Sequence, residues 1–270
     1  MKKIRLPAVA GRFYPADAEE LRVAVDSYTR GGSATKRVAR ACIVPHAGYT
    51  YSGGVAGGVY QALEIPKRII LIGPRHYPRG EALAILSEGA WRTPLGDAQM
   101  DHALATEILR AFPALREDEV AHSMEHALEV QLPFLQRLAG DFQFVPIAVG
   151  TDRLDVLESL GRAMATVIAG HAEPILIVTS SDMNHYESDA ITRVKDGYAI
   201  EKILALDARG LYETVRGKKI SMCGMAAAVA MLTAVRELGA TKAELIAYAT
   251  SSDVSGDMEY AVGYAGVVVD

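Results

Sequence analysis

Four residues that can do chemistry stand just beyond apolar runs. His46 follows Ala41-Cys42-Ile43-Val44 and Pro45, and His76 follows the run from Arg68 to Arg75. Asp182 and His185 close the stretch Pro174-Ile175-Leu176-Ile177-Val178-Thr179-Ser180-Ser181-Asp182-Met183-Asn184-His185. A fifth, Cys223, precedes a long apolar pattern running from Met225 to Leu238. Neutral imidazole nitrogens and a thiolate are donors that suit zinc, copper and iron, so His46, His76 and Cys223 form a candidate ligand set. No HExxH or CxxC pair supports that set by spacing; what supports it is the placement of each residue at the end of an element, where parallel-sheet topology brings distant residues together. A carboxylate oriented against an imidazole suits acid/base work near neutral pH, and Asp182 with His185 has that composition. The same local sequence also fits Asp182 as a helix cap beside a polar histidine. Glu125, His126 and Glu129 form a third group, whose carboxylates are at helical neighbour spacing. His126 is the imidazole that this group can send into an active site, the alternative being a satisfied group on the surface or behind the ligands.

These positions imply elements that must hold them. Ala41 to Val44 reads as a buried strand stopped by Pro45, and Ser52 as the cap of a helix running to Leu63. Lys67 to Gly73 and Pro174 to Ser180 repeat the layout of an apolar strand followed by a polar end. If these three strands are parallel in one sheet, their carboxyl ends meet at one rim, where open α/β sheets bind ligands. Asp17 caps a helix to about Tyr28 with Leu21, Val23, Val25 and Tyr28 available to pack, and Gly31-Gly32-Ser33 ends it. Ala82 to Leu86 reads as a strand and Gly89 to Asp97 as a turn-rich stretch, in which Trp91, the sole tryptophan, serves as pocket wall or core. Asp101 begins a helix to about Phe112, with His102 solvated or capping. Ser123 is a plausible cap for a further helix that Pro133 kinks. Phe142 to Val149 is a strand, Leu154 to Ile168 a helix, and His171 an exposed turn residue. Ser188 to Val215 is a charged helical region with a solvated face. Two strands, Ala243 to Thr250 and Tyr260 to Val269, close the chain, the last long enough to lie antiparallel beside the first. Alternating strands and helices without repeats predict a single three-layer α/β/α domain over residues 1–270, with a mostly parallel or mixed central sheet.

Composition narrows the function classes. Half of the 270 residues are hydrophobic and 23% are charged, which is ordinary for a globular protein with a sizeable core. The net charge of −5 is spread along the chain, leaving no footprint for nucleic acid or an anionic membrane and favouring a small-molecule or peptide ligand. The amino terminus lacks the apolar segment of a secretory signal, and the longest apolar stretch is far below the ~20 residues that span a bilayer. A cytoplasmic protein is expected. The two cysteines form no disulfide framework; Cys42 reads as a small buried hydrophobe, and Cys223 as a helix-amino-terminal thiol whose thiolate the dipole favours. Gly53-Gly54-Val55-Ala56-Gly57-Gly58 lacks the acidic partner of a dinucleotide fingerprint and reads as close helix packing. No Gly-x-Ser-x-Gly elbow supports a serine hydrolase.

At these residues the sequence resembles the Memo family, whose motifs PHAGYTY, GPxH, EHxxExxLP, SSDxxH and a late CG stand here at Pro45 to Tyr51, Gly73 to His76, Glu125 to Pro133, Ser180 to His185 and Cys223-Gly224. The resemblance implies a fold related to class III extradiol dioxygenases, the non-heme iron enzymes that open catechol rings. It places the family's metal-ligand pattern on His46, His76 and Cys223, with Asp182 and His185 beside it. It further implies iron or copper as cofactor, with zinc possible, and redox activity; an adaptor that binds proteins in the same cleft is the alternative. The related dioxygenases have a carboxylate where this pattern has a cysteine, so ring cleavage itself is not implied. Radical-SAM and AMMECR-type proteins are the partners that the resemblance suggests. Arg75, before His76, is a departure that sets a cation either at the candidate metal or pointing away from it.

Overall fold

The computed structural model describes residues 3–30 and 36–270, so the helix stop expected at Gly31-Gly32-Ser33 lies outside the described residues. The strands are β1 (Ile4–Arg5), β2 (Ala41–Val44), β3 (Arg68–Pro74), β4 (Leu83–Ile85), β5 (Ala90–Thr93), β6 (Gly96–Met100), β7 (Arg116–Glu117), β8 (Gln143–Val149), β9 (Ile175–Ser180), β10 (His185–Glu187), β11 (Ala243–Thr250) and β12 (Ala261–Val269). The helices are α1 (Ala18–Tyr28), α2 (Tyr49–Gln61), α3 (His102–Ala111), α4 (Glu119–Ser123), α5 (Leu132–Leu138), α6 (Leu154–Ala169), α7 (Asp189–Leu204), α8 (Ala208–Gly217), α9 (Met225–Glu237) and α10 (Ser252–Ser255).

The strands form one mixed sheet in the order β1-β5-β6-β8-β3-β9-β2-β12-β10, with β4 and β11 added to β8 and β12. Its centre, β8-β3-β9-β2, is parallel. These four strands are nearly continuous apolar runs because both of their faces are covered, as parallel sheets require. Alternate residues supply two cores. Ile43, Ile70, Ile72, Val145, Ile147 and Ile177 face the layer of α3, α6, α7, α8 and α9. Cys42, Val44, Ile69, Leu71, Phe144, Leu176 and Val178 face the layer of α1, α2 and α5. The three-layer α/β arrangement expected from the sequence is therefore present, with β12 antiparallel to both β2 and β11. Gly53 and Gly57 of α2 explain themselves by contact: a Cβ on Gly53 would meet the Tyr28 ring at 2.7 Å and one on Gly57 the Tyr28 carbonyl oxygen at 2.3 Å. No helix among the described residues is long and apolar enough to cross a membrane.

Several local expectations are corrected. Helix α2 starts at Tyr49 rather than after Ser52, because Tyr49 N donates to Phe13 O and the Ser52 hydroxyl donates to the Ala47 carbonyl instead of capping. The stretch taken for turns at residues 89–97 is largely the β5–β6 hairpin, its turn made by Pro94 and Leu95. Trp91 is a core residue with the Arg5 guanidinium 4.2 Å above its ring. Ser123 ends α4, capped by Asp118, rather than opening a long helix, and Pro133 sits in the first turn of α5, where its missing N–H costs no hydrogen bond and introduces no kink. Val23 is 54% exposed, leaving Leu21 and Val25 as the buried face of α1. His171 is not free in solvent: it lies between Arg68 and Glu107, accepting from the first and donating to the second. His102 donates Nδ1–H to the Ser87 carbonyl at the start of α3. Charged as it is, α7 buries Asp189 and Asp196.

Candidate metal centre

Parallel strands β2 and β9 are neighbours with Val44 opposite Ser180, so the residues after them meet. The His46 backbone N–H donates to Asp182 Oδ1 at 2.7 Å. His76 is carried two residues beyond β3, on the other side of β9. Cys223 arrives from the opposite helical layer, on the turn that leads into α9. That turn is pressed against the end of β9: Gly224 N donates to Ser181 Oγ, and a Cβ at residue 224 would sit 2.4 Å from the Ser181 side chain. Glycine after the cysteine is thus a steric requirement. The result is a group in which ligand atoms of His46, His76 and Cys223 all lie within 4.8 Å of one another.

Hydrogen bonds decide which nitrogen each histidine offers. Ser180 Oγ gives its proton to the Ala127 carbonyl at 2.6 Å and accepts from Gln131 Nε2, so its contact with His46 Nδ1 at 2.9 Å has the imidazole as donor. His76 Nδ1 lies 2.8 Å from Glu125 Oε1, and its backbone N–H donates to Oε2 of the same carboxylate. His185 Nδ1 donates to the Ser221 carbonyl at 2.9 Å. All three rings therefore carry hydrogen on Nδ1 and keep a lone pair on Nε2. This is how metal-binding histidines are oriented in general, by a carboxylate or carbonyl on the far nitrogen.

Electrostatics agrees with neutral donors. Burial, followed by the neighbouring His76, pushes His46 well below its ordinary value. His126 falls to about 4 through burial and the adjacent His46 and His76. Burial alone would raise Glu125, but the hydrogen bonds and charge of His76 and the Ala127 N–H hold it at about 2, so it remains a carboxylate. Asp182 is raised by burial, against the opposing bond from His46 N. The expectation of a dipole-stabilised Cys223 thiolate is corrected: burial first, then the Asp182 carboxyl, push the thiol well up in the metal-free protein.

The cleft over these groups has a volume of about 560 Å³ and is lined by four of the seven histidines, His46, His76, His126 and His185, together with Asp182 and Cys223. Phe13, Tyr186 and Tyr264 supply apolar wall, and no lysine or arginine is among the lining residues. His126 stacks on His76 at 4.5 Å and takes the edge of Phe13 at 4.8 Å. Asp182 caps no helix; its Oδ2 lies 4.0 Å from His46 Nε2. Tyr186 occupies a bulge with φ of 62° and is 75% exposed at the cleft mouth. Arg75 points away, its guanidinium donating to the carbonyls of Arg79, Gly80 and Glu81. Glu129 also leaves the cleft, accepting from Arg5, Ala8 N, Val9 N and Tyr14.

Sequence reasoning missed four supports: Ser180 and Gln131 behind His46, Ser221 behind His185, and Glu125 as the specific orienter of His76. His76, Glu125 and His126 also satisfy a distance criterion for metal binding. The Glu125 oxygens accept from three N–H donors there, two of them from His76, so the carboxylate of that trio orients His76.

Comparison with known proteins gives a consistent picture. The family described as "Memo-like protein" matches residues 5–268. A MEMO1 family protein from Methanopyrus kandleri is 40% identical over 277 residues, covering 98% of each chain. One from Aquifex aeolicus is also 40% identical, over 98% of this chain and 99% of its own, and one from Methanosarcina acetivorans is 39% identical over 99% and 100%. Among solved structures, an uncharacterized Escherichia coli K12 protein aligns with a TM-score of 0.54 over 83% of this chain and 98% of its own; at 13% identity it speaks for the fold alone.

Proposed function

Because the chain belongs to the Memo family, we propose that it is a metal-binding protein in which His46, His76 and Cys223 hold iron or copper for redox chemistry in the cleft. The observation that carries this reading is the convergence of three donor atoms within 4.8 Å, the two imidazoles each tied at Nδ1 so that Nε2 is free to coordinate. Two nitrogens and a sulfur suit iron and copper, and they also fit zinc. Bound iron or copper would supply one-electron chemistry and Lewis acidity at the cleft floor.

The remaining groups bind and move protons. Asp182 spends Oδ1 on the His46 backbone and keeps Oδ2 toward the donor cluster. His185 has its Nε2 lone pair for accepting a proton from a ligand in the cleft, since Nδ1–H is fixed on Ser221. His126, stacked on His76, covers one face of that ring and fills the wall toward Phe13. Elemental analysis of protein purified without added metal tests the reading: about one iron or copper per chain is expected, and a metal-free protein that takes up none on titration overturns it.

A second reading is an adaptor that binds a peptide in the same cleft. The exposed Tyr186 at the mouth favours it. Metal stoichiometry separates the two, because peptide binding requires no ion at His46, His76 and Cys223.

A further inference from the structure

Asn184 is fully buried, and every polar atom it has is used. Its backbone N–H donates to Asp196 Oδ1 at 2.8 Å, and its carbonyl accepts from Gly263 N at 2.9 Å. Its side-chain NH₂ donates to Glu187 Oε2 at 2.7 Å and to Thr192 Oγ1 at 3.3 Å. The side-chain oxygen is aimed elsewhere: it accepts from both the backbone N–H and the hydroxyl of Ser221, each at 3.1 Å. A rigid, buried amide is thus anchored on β12 and α7 and reaches across to the turn that carries Cys223 two residues later.

We infer that Asn184 is a positioning residue for the Cys223 donor, holding the turn of residues 221–224 against the end of β9 at the place where the thiol joins His46 and His76. This rests on the metal-centre reading above. The turn and the strand end are fastened at three successive points: Gly224 N to Ser181 Oγ at 3.1 Å, Asp182 N to Cys223 Sγ at 3.2 Å, and Ser221 N to Asn184 Oδ1. Of the three, the contact at Asn184 is the one made by a buried side chain locked from four directions. It acts on His185 as well, because the Ser221 held by Asn184 receives His185 N on its hydroxyl at 2.8 Å and His185 Nδ1–H on its carbonyl. One amide therefore sets both the thiol donor and the proton-accepting imidazole of the cleft. Replacing it by alanine leaves Ser221 free to bond water, since that residue is solvent-exposed. The turn then loses its outermost fastening while Gly224 stays packed on Ser181.

Cobalt(II) is the probe, because thiolate coordination gives a near-ultraviolet sulfur-to-metal charge-transfer band that imidazoles alone do not give. Wild type should show the band and Cys223→Ser should lack it. In Asn184→Ala the band should fall to less than half while cobalt still binds, with affinity about 10–100-fold weaker, as is typical when a residue supporting a ligand is lost. Glu187→Ala and Thr192→Val remove the two contacts of the side-chain NH₂ and leave the amide oxygen for Ser221, so each should keep most of the band; loss of the band in these variants would assign the effect to those two contacts and overturn the inference. A metal-free arm reads the same contact: amide hydrogen exchange in residues 221–224 should quicken in Asn184→Ala with the strands β3 and β9 unchanged. Should that variant not fold, Ser221→Ala removes the hydroxyl half of the contact at an exposed position and should lower the band partially. A full band with unaltered exchange in the folded variants overturns the inference alone. Absence of the band in wild type overturns the metal-centre reading, and this inference with it.

Discussion

The sulfur of Cys223 lies 3.3 Å from Nε2 of His46, across 177 residues of chain. Because His46 carries its hydrogen on Nδ1, bonded to Ser180, the proton in this contact belongs to the thiol. The contact brings a ligand from the α9 layer onto a ligand from β2, and a metal ion would take the place of that proton. Binding and the loss of the thiol proton are thus linked, as is general for cysteine ligands.

The ligand assignment predicts that His46→Ala, His76→Ala and Cys223→Ser each lower iron or copper loading, by more than the roughly 10–100-fold expected for a residue behind the ligands. Metal content per folded chain, with circular dichroism as the folding control, is the measurement. Undiminished loading in all three variants would remove the site.

Glu125 offers a sharper test of orientation. Its carboxylate accepts both the ring and the backbone N–H of His76 as well as Ala127 N, so Glu125→Gln substitutes an NH₂ group for one acceptor among three donors. Metal affinity should drop about 10–100-fold with the ligands themselves intact. Equal affinity in variant and wild type, by competition with a chelator, would show that His76 needs no such support.

Asp182→Asn and His185→Gln separate binding from proton handling. Affinity should fall much less than in Cys223→Ser, whereas metal-dependent oxygen or peroxide turnover should drop about 10²–10⁴-fold for loss of an acid/base group. Metal loss as severe as in Cys223→Ser would make either residue a direct ligand.

Away from the ligands, Asp196 predicts a pH dependence of stability. Burial raises its carboxyl to about 6, against the bonds it accepts from Asn184 N and Tyr248 OH. Between its ordinary value of 3.8 and about 6 the folded state holds a proton that the unfolded state has released. This contribution to stability is complete below about 4 and is lost as pH rises through about 6, amounting to about 3 kcal/mol in all. Denaturant titrations from pH 4 to 7 should show a fall in wild type that is missing in Asp196→Asn. Parallel profiles for the two proteins would contradict the assignment.

Much of this was readable in the linear chain. The apolar runs ending at Pro45, Pro74 and Ser180 read as strands covered on both faces, and once they lie parallel in one sheet the residues after them reach a common rim. His46, His76, Asp182 and His185 were legible as candidates for that reason, Cys223 from its place before the apolar helix pattern that starts at Met225, and His126 from its neighbours. The motif residues also named the family, later found as a match over residues 5–268.

Other decisions required three dimensions. Glu125 and Glu129 are four residues apart and both fully buried, yet one orients His76 and the other binds Arg5, Tyr14 and the backbone of residues 8 and 9. Nothing in their identity or spacing separates them, because the difference arises from a break between α4 and α5 that turns the two side chains to opposite sides. Likewise, the common Nδ1–H tautomer of His46, His76 and His185 depends on a hydroxyl, a carboxylate and a carbonyl supplied by Ser180, Glu125 and Ser221. Strand periodicity is a local property and survives in the sequence, whereas a hydrogen-bond partner is chosen by which segments the closed sheet brings within 3 Å, and that is settled only when the whole chain has packed.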